Sequence, residues 1–291
     1  MALRDEIQPN YSTKTYDVYD LGDQLLMVAH DRLYHAGFEL SDLIPNKGKA
    51  ATQLAVFWFE LFEGFLDSSF ITADVNKLPE TYRPFSDELD GRFMLLAKVE
   101  EFAVNAQVVG YLTRPVLDEY MDKGTVGGVE AETGLVLNSL LKQAIYIPYL
   151  LDIDGQPSAQ VDLMQTVELF GNRNAMLIAS TALEFYGVMH GLAKSRGIIF
   201  ADVTLRFGLA EGQFFITSVP TVDDSLVWSA GGCEPGQEHD LFVFQGLNDW
   251  LAENRDAGLP LPALPPDLID RLSERYVEVT ESVTGEDLTT A

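Results

Sequence analysis

The side chains most apt to do chemistry in this sequence are its four histidines, its single cysteine, and a scatter of arginines and carboxylates. His30, His35, His190 and His239, taken together, show no zinc-ligand spacing. His30 stands beside Asp31 at a strand end and reads as structural. His190 falls near the end of a long helical pattern and reads as a core or capping histidine. Cys233 follows two glycines with no neighbouring base, which argues against a thiolate nucleophile. A lone cysteine also excludes an internal disulfide framework and a cysteine-based metal cluster, and fits a reducing cytoplasm.

The elements that must position these groups follow from the hydropathy pattern. The 291 residues are 47% hydrophobic and 11% aromatic, enough to bury one large core or two smaller ones. YDVYDL and QLLMVAH, joined at Gly22 and Asp23, alternate as an antiparallel hairpin. The run from Ala51 to Gly64 has too few polar interruptions for a surface strand and suits a buried helix. Phe93 to Val99 and Gln107 to Leu112 read as strands. From Leu163 to Lys194 the apolar residues recur at three- and four-residue intervals, which predicts one long amphipathic helix closed by Gly197. A buried strand from Ile198 to Ala201 follows, then a strand pair around Leu205–Phe207 and Gln213–Val219 that turns at Glu211 and Gly212. LPLPALPP at 259–266 is a stiff connector to a terminal helix with Leu268, Leu272, Tyr276 and Val279 on one face.

The polar N-terminus, MALRDEIQPNYSTK, holds no apolar signal core, and no stretch is expected to span a membrane. With 45 acidic against 19 basic residues the net charge of -26 argues against nucleic acid, whose binding rests on neutralising phosphates. A cytoplasmic protein is the default expectation, with no membrane partner and with homo-oligomerisation left open.

Read in order, YSTKTYDVYDLGDQLLMVAHDR, LIPNKGKAATQLAVFWFELFE, VVGYL, GTVGG, RGIIFAD, EPG and NDWL resemble the successive landmarks of the SAICAR synthetase family and span Tyr11 to Leu251. The resemblance implies an α+β fold of two kinase-like or ATP-grasp-like lobes around a central cleft, with a C-terminal helix. The corresponding division is a β-rich lobe over 1–100, an α/β lobe over 101–258, and a connector with the terminal helix over 259–291. It also implies an ATP-dependent ligase that joins aspartate to a carboxylated aminoimidazole ribotide with magnesium.

Against that family many charged positions have changed. The phosphate loop, glycine-lysine-x-lysine or arginine in the family, reads Thr13, Lys14, Thr15 and Tyr16. After Asp31 and Arg32, the stretch serine-alanine-phenylalanine-aspartate is Tyr34 to Gly37. A lysine pair is reduced to Ala97 and Lys98, a glutamate is Asn105, an arginine is Val109, and a serine-rich loop is Thr113, Arg114 and Pro115. A threonine-proline segment is Ile147 to Ile153, including Tyr149 and Leu151. Asp202 persists, but its following lysine and glutamate are Thr204 and Arg206, and the acidic pair for magnesium is Thr217 and Ser218. Asp223 survives, whereas Leu226, Val243 and Phe244 replace charged groups.

These substitutions lead to a definite expectation. Tyr16, Val109, Tyr149, Leu151, Ile153, Leu226, Val243 and Phe244 would form an apolar wall for a neutral substrate. Tyr34, His35, Asn105, Arg114, Thr204 and Arg206 would be the catalytic set. Tyr34, Asn105 and Thr204 would donate hydrogen bonds, His35 would move a proton, and Arg114 and Arg206 would hold a carboxylate or enolate. Arg206 has an alternative role as the ion-pair partner of Asp202 or Asp223. The expected function is a repurposed, cofactor-independent cyclase or isomerase of specialised, natural-product metabolism that holds its substrate by shape. The alternatives are an ATP- and magnesium-dependent amide-forming ligase that uses Lys14, Lys98, Asp202 and Asp223, and a binding protein without turnover.

Overall fold

The computed structural model describes residues 2–152, 155–232, 234–237, 243–254 and 261–288. It is an α+β protein that divides into two compact units. The first gathers residues 1–99, 221–223 and 243–291, and the second residues 100–220 and 224–242. Residues 243–254, expected with the second lobe, and the terminal helix, expected to form a third part with its connector, fall within the first unit.

In the first unit Tyr16–Asp20 and Gln24–Ala29 form the expected hairpin, with Gly22 at φ 101° in its turn. They lie inside a five-stranded sheet ordered Tyr11–Ser12, Tyr16–Asp20, Gln24–Ala29, Phe93–Ala97, Phe70–Thr72. Tyr19, Leu26, Phe93 and Leu95 pack with Leu3, Leu78, Tyr82 and Leu89. The helix Lys47–Leu61 packs against Gln24–Ala29 and Phe93–Ala97 and buries Leu54, Ala55 and Trp58. The terminal helix Pro266–Thr284 lies on that helix and buries Leu268, Leu272, Tyr276, Val279 and Val283, which share one face because they recur every three or four residues.

The second unit is built on an antiparallel sheet ordered Pro157–Gln160, Leu140–Leu151, Val104–Tyr111, Ile198–Ala210, Gln213–Ser218, with Leu226–Ser229 and Glu100–Glu101 also paired to Ile198–Ala210. The predicted single helix over 163–194 is two, Leu163–Phe170 and Asn172–Ser195. Gly171, at φ 80° and ψ 153°, breaks the chain between them. Asn172–Ser195 is long and apolar enough to cross a membrane by length and composition, contrary to expectation. Its stripe of Ala175, Ile178, Ala182, Phe185, Tyr186, Met189 and Ala193 is nevertheless buried against the sheet, which is how a core helix reads.

Candidate functional site

In the first unit the most constrained polar group is Asp223. Its Oδ2 takes Lys47 Nζ at 2.5 Å and the Thr15 hydroxyl at 2.9 Å, and its Oδ1 takes the Tyr276 hydroxyl at 2.6 Å. The Lys47 side chain is 0% exposed and that of Asp223 4%, so the pair persists only because further hydrogen bonds satisfy the carboxylate. Lys47 opens the helix Lys47–Leu61, and the next residue, Gly48, donates its N–H to Asp31 Oδ1 at 2.8 Å. Arg92 Nη1 reaches the same oxygen at 2.8 Å. A side chain at Gly48 would meet the Ala29 carbonyl and Arg92 Nη1, both at 2.8 Å, so the helix start is closed around Asp31. Asp17 accepts from Ser12 at 2.6 Å and Arg32 at 2.7 Å.

The loop before Tyr16 satisfies itself. Thr13 Oγ1 accepts the N–H groups of Tyr16 at 2.9 Å and Thr15 at 3.2 Å, which leaves Lys14 as the exposed cation of the loop. Lys98 pairs with Asp20 at 2.5 Å on the surface. Tyr34 stands opposite Glu39 in the pairing of Arg32–His35 with Phe38–Leu43, and burial and that carboxylate push its hydroxyl up to about 12. His35 stacks on Phe244 at 4.4 Å, and its Nε2 donates to Asn248 Oδ1 at 2.7 Å. Burial holds its imidazole below the usual range. Phe244 in turn meets Tyr276 edge-on.

In the second unit Asp202 lies inside the sheet. It accepts the Leu226 N–H at 2.8 Å and the Gln107 amide at 3.2 Å, and burial raises its carboxyl to about 6 against the lowering effect of those two bonds. Arg206 Nε donates to Asn105 Oδ1 at 3.0 Å, Nη2 to the Gly155 carbonyl at 3.3 Å, and Nη1 meets Glu101 at 3.4 Å. The expected pairing of Arg206 with Asp202 or Asp223 is therefore corrected. Four residues along one strand set Arg206 and Asp202 about 13 Å apart, and Asp223 is held by Lys47. Thr204, half-buried, pairs across the sheet with Gln107, and Arg114 is exposed in the first turn of Arg114–Lys123.

The expected apolar wall is largely interior packing. Val109 is fully buried among Leu112, Val116, Ile145 and Ile147, with Tyr149 against that cluster and its hydroxyl 3.2 Å from Gln160. Leu226 packs on Tyr111, Ile199 and Trp228, while Tyr16, Val243 and Phe244 are buried in the first unit. Leu151 is half-buried at a strand end, and Ile153 lies outside the described residues. The structure joins Asn105 to Arg206 and His35 to Phe244. Sequence reasoning did not single out Lys47, Asp31 or Arg92 as site residues, although Lys47 lies within LIPNKGKAATQ.

A SAICAR synthetase family model matches residues 10–259. The chain belongs to the SAICAR synthetase family. A phosphoribosylaminoimidazole-succinocarboxamide synthase of Desulfosudis oleivorans is 33% identical over 274 residues, covering 94% of each chain. The SAICAR synthase of Saccharomyces cerevisiae, solved with SAICAR, is similar with a TM-score of 0.90 and 26% identity over 100% of this chain and 99% of that one. A SAICAR synthetase solved with ADP shares the fold at a TM-score of 0.66 and 17% identity.

These likenesses overturn the expectation of an ATP-independent cyclase or isomerase of specialised metabolism, and with it the expectation of no cofactor. The changed positions were read as a new apolar site, but 33% identity along 94% of both chains to a curated phosphoribosylaminoimidazole-succinocarboxamide synthase, and the matching fold, run against that reading. The residues present fit a nucleotide phosphate through a side-chain cation, Lys14, rather than through a cradle of loop amides, since Thr13 occupies two of those amides. They offer magnesium no cage of three protein ligands among the described residues. Among the described residues no three histidine, cysteine or acidic side chains converge, and the strand Gln213–Ser218 ends in Thr217 and Ser218.

Proposed function

We propose that this chain is an ATP-dependent ligase of the SAICAR synthase type, which forms an amide between aspartate and a carboxylated aminoimidazole ribotide in purine synthesis. The observation that supports it most is collinearity with a curated synthase over 94% of both chains, with no large insertion or loss. ATP supplies the phosphoryl group that turns a carboxylate oxygen into a leaving group. The chain's residues do the positioning that such a transfer depends on. Lys14 meets phosphate from its exposed loop. The Lys47–Asp223 pair fixes the start of the helix Lys47–Leu61 against Thr15 and thereby the loop that carries Lys14. Asp202, buried, accepts the Leu226 N–H and the Gln107 amide and so ties Leu226–Ser229 and Val104–Tyr111 to its own strand Ile198–Ala210. No step is assigned to magnesium. The substrates are polar small molecules, and a cytoplasmic setting goes with the reading.

The test is ADP release by the purified chain supplied with ATP, aspartate and carboxyaminoimidazole ribotide, alongside calorimetric titration with ATP with and without magnesium. Substrate-dependent ADP release with amide product is the expected result. Absence of product at saturating substrates, in a chain that is folded by circular dichroism, overturns the proposal.

A further inference from the structure

The loop that carries Lys14 is gripped by one residue, His30, which directly follows the strand Gln24–Ala29. His30 donates its backbone N–H to the Thr15 carbonyl at 3.0 Å, and its Nε2 lies 3.3 Å from the Thr13 carbonyl. The carbonyls of the residues on either side of Lys14 are therefore both engaged by His30. The rest of the turn closes on itself. Thr13 donates its N–H to the Tyr16 carbonyl at 2.8 Å, and Thr13 Oγ1 accepts the N–H groups of Thr15 and Tyr16. Anions are held by donors and repelled by carbonyl oxygens, so a loop that meets phosphate needs its carbonyls occupied elsewhere. His30 occupies two of them, and Lys14 is left exposed between.

The imidazole does this as a neutral group. A carbonyl only accepts, so the contact with Thr13 requires the proton on Nε2. Nδ1 is then a bare lone pair, and it is buried with no hydrogen-bond partner. A second proton there would place a charged N–H where no acceptor meets it. Burial, and after it the Lys47 ammonium, hold the imidazole below its usual range, outweighing Asp17, the Thr13 carbonyl and Asp223. His30 is thus a donor that shapes the loop rather than a second cation beside Lys14.

We propose that His30 is a positioning residue for nucleotide binding: its backbone N–H and Nε2–H hold the carbonyls of Thr15 and Thr13, so that the loop presents the Lys14 ammonium, and no carbonyl oxygen, to the phosphates of ATP. The inference rests on the ligase reading for its ligand and acts only through Lys14.

Calorimetric titration of the full chain with ATP and magnesium chloride tests it, because binding is read without turnover. His30→Met keeps the side-chain length and removes the donor, whereas His30→Gln places an amide N–H near the Nε2 position. His30→Met should weaken ATP about three- to tenfold, His30→Gln should restore it to within about twofold, and His30→Met should have no further effect in a Lys14→Ala chain. In turnover the same change should raise KM for ATP and leave kcat unchanged. Nitrogen NMR shifts of the His30 ring decide the matter without a substitution: a proton on Nε2 and none on Nδ1 at pH 7 is expected. Equal ATP affinity in His30→Met and the parent, no restoration by His30→Gln, equal weakening in the Lys14→Ala chain, or a proton on Nδ1 each overturns the proposal. A parent chain that binds ATP yet forms no amide overturns the ligase reading alone, and one that binds no ATP overturns both.

Discussion

Two buried carboxylates in this chain meet opposite fates, and the difference lies in their partners. Asp223 has a cation and two hydroxyls, whereas Asp202 has one N–H and one amide. Replacing Lys47 with Met leaves Asp223 uncompensated and should destabilise the protein by about 3–5 kcal/mol in urea denaturation. Adding Asp223→Leu should recover part of that loss, because an apolar pair avoids the desolvation that the ion pair must offset. Asp202 behaves the other way. Its folded carboxyl titrates at about 6, above the ordinary value near 4 for an unfolded chain. Below pH 4 both states are protonated and nothing is lost. As pH rises from about 4 to 6 the native state binds more protons than the unfolded one, so stability falls, reaching a penalty on the order of 2–3 kcal/mol by pH 7. Asp202→Asn should therefore stabilise the protein at pH 7, with the gain vanishing towards pH 4. A gain independent of pH would contradict the assignment. Neither environment was legible from the residues. A lysine opening an apolar helix reads as solvent-facing, and Lys47 is buried because of a carboxylate 176 residues away.

At the scale of elements, local patterning carried most of the strands and the terminal helix, since period-2 and period-3.6 signals depend on neighbours along the chain. It failed at Gly171, because the apolar period runs on through the break and the backbone reversal leaves no mark on hydropathy. Two glycines show why such positions resist reading. Gly171 has open space around a would-be side chain, so its requirement is its backbone alone, φ 80°. Gly110 is the reverse case. A Cβ there would lie 1.9 Å from the Tyr186 hydroxyl, which is held to the Phe200 carbonyl at 3.0 Å. Gly110→Ala should thus destabilise by about 1–3 kcal/mol through overpacking, and Tyr186→Phe in the same chain should relieve part of it. Gly171→Ala should destabilise by about 1 kcal/mol with no second-site relief from trimming side chains. Thermal unfolding of the single and paired variants separates the two causes.

Across the whole molecule, the family was legible because many landmarks in fixed order constrain one another, whereas the chemistry was misread because single positions do not. Val109 and Phe244 looked like an emptied binding wall, and both are buried packing residues. The division of the chain was also hidden, since the residues that complete the first unit come from its far end. That arrangement makes the terminal helix indispensable. Leu272, Tyr276, Val279 and Val283 are fully buried on the helix Lys47–Leu61, and each contributes about 1.5–3 kcal/mol by leaving water. Their sum is comparable to the entire stability of a domain, about 5–15 kcal/mol. Tyr276 also supplies one of the three groups that hold Asp223, so deleting the helix exposes the apolar face of Lys47–Leu61 and weakens the buried Lys47 pair together. Truncation after residue 265 should abolish cooperative unfolding of the first unit while the sheet of the second, which draws no strand from that helix, keeps its own protected amides in hydrogen exchange. Loss of protection in both units at once would show that they unfold as a single cooperative body, and retained protection in the first would show that the helix is dispensable to its core.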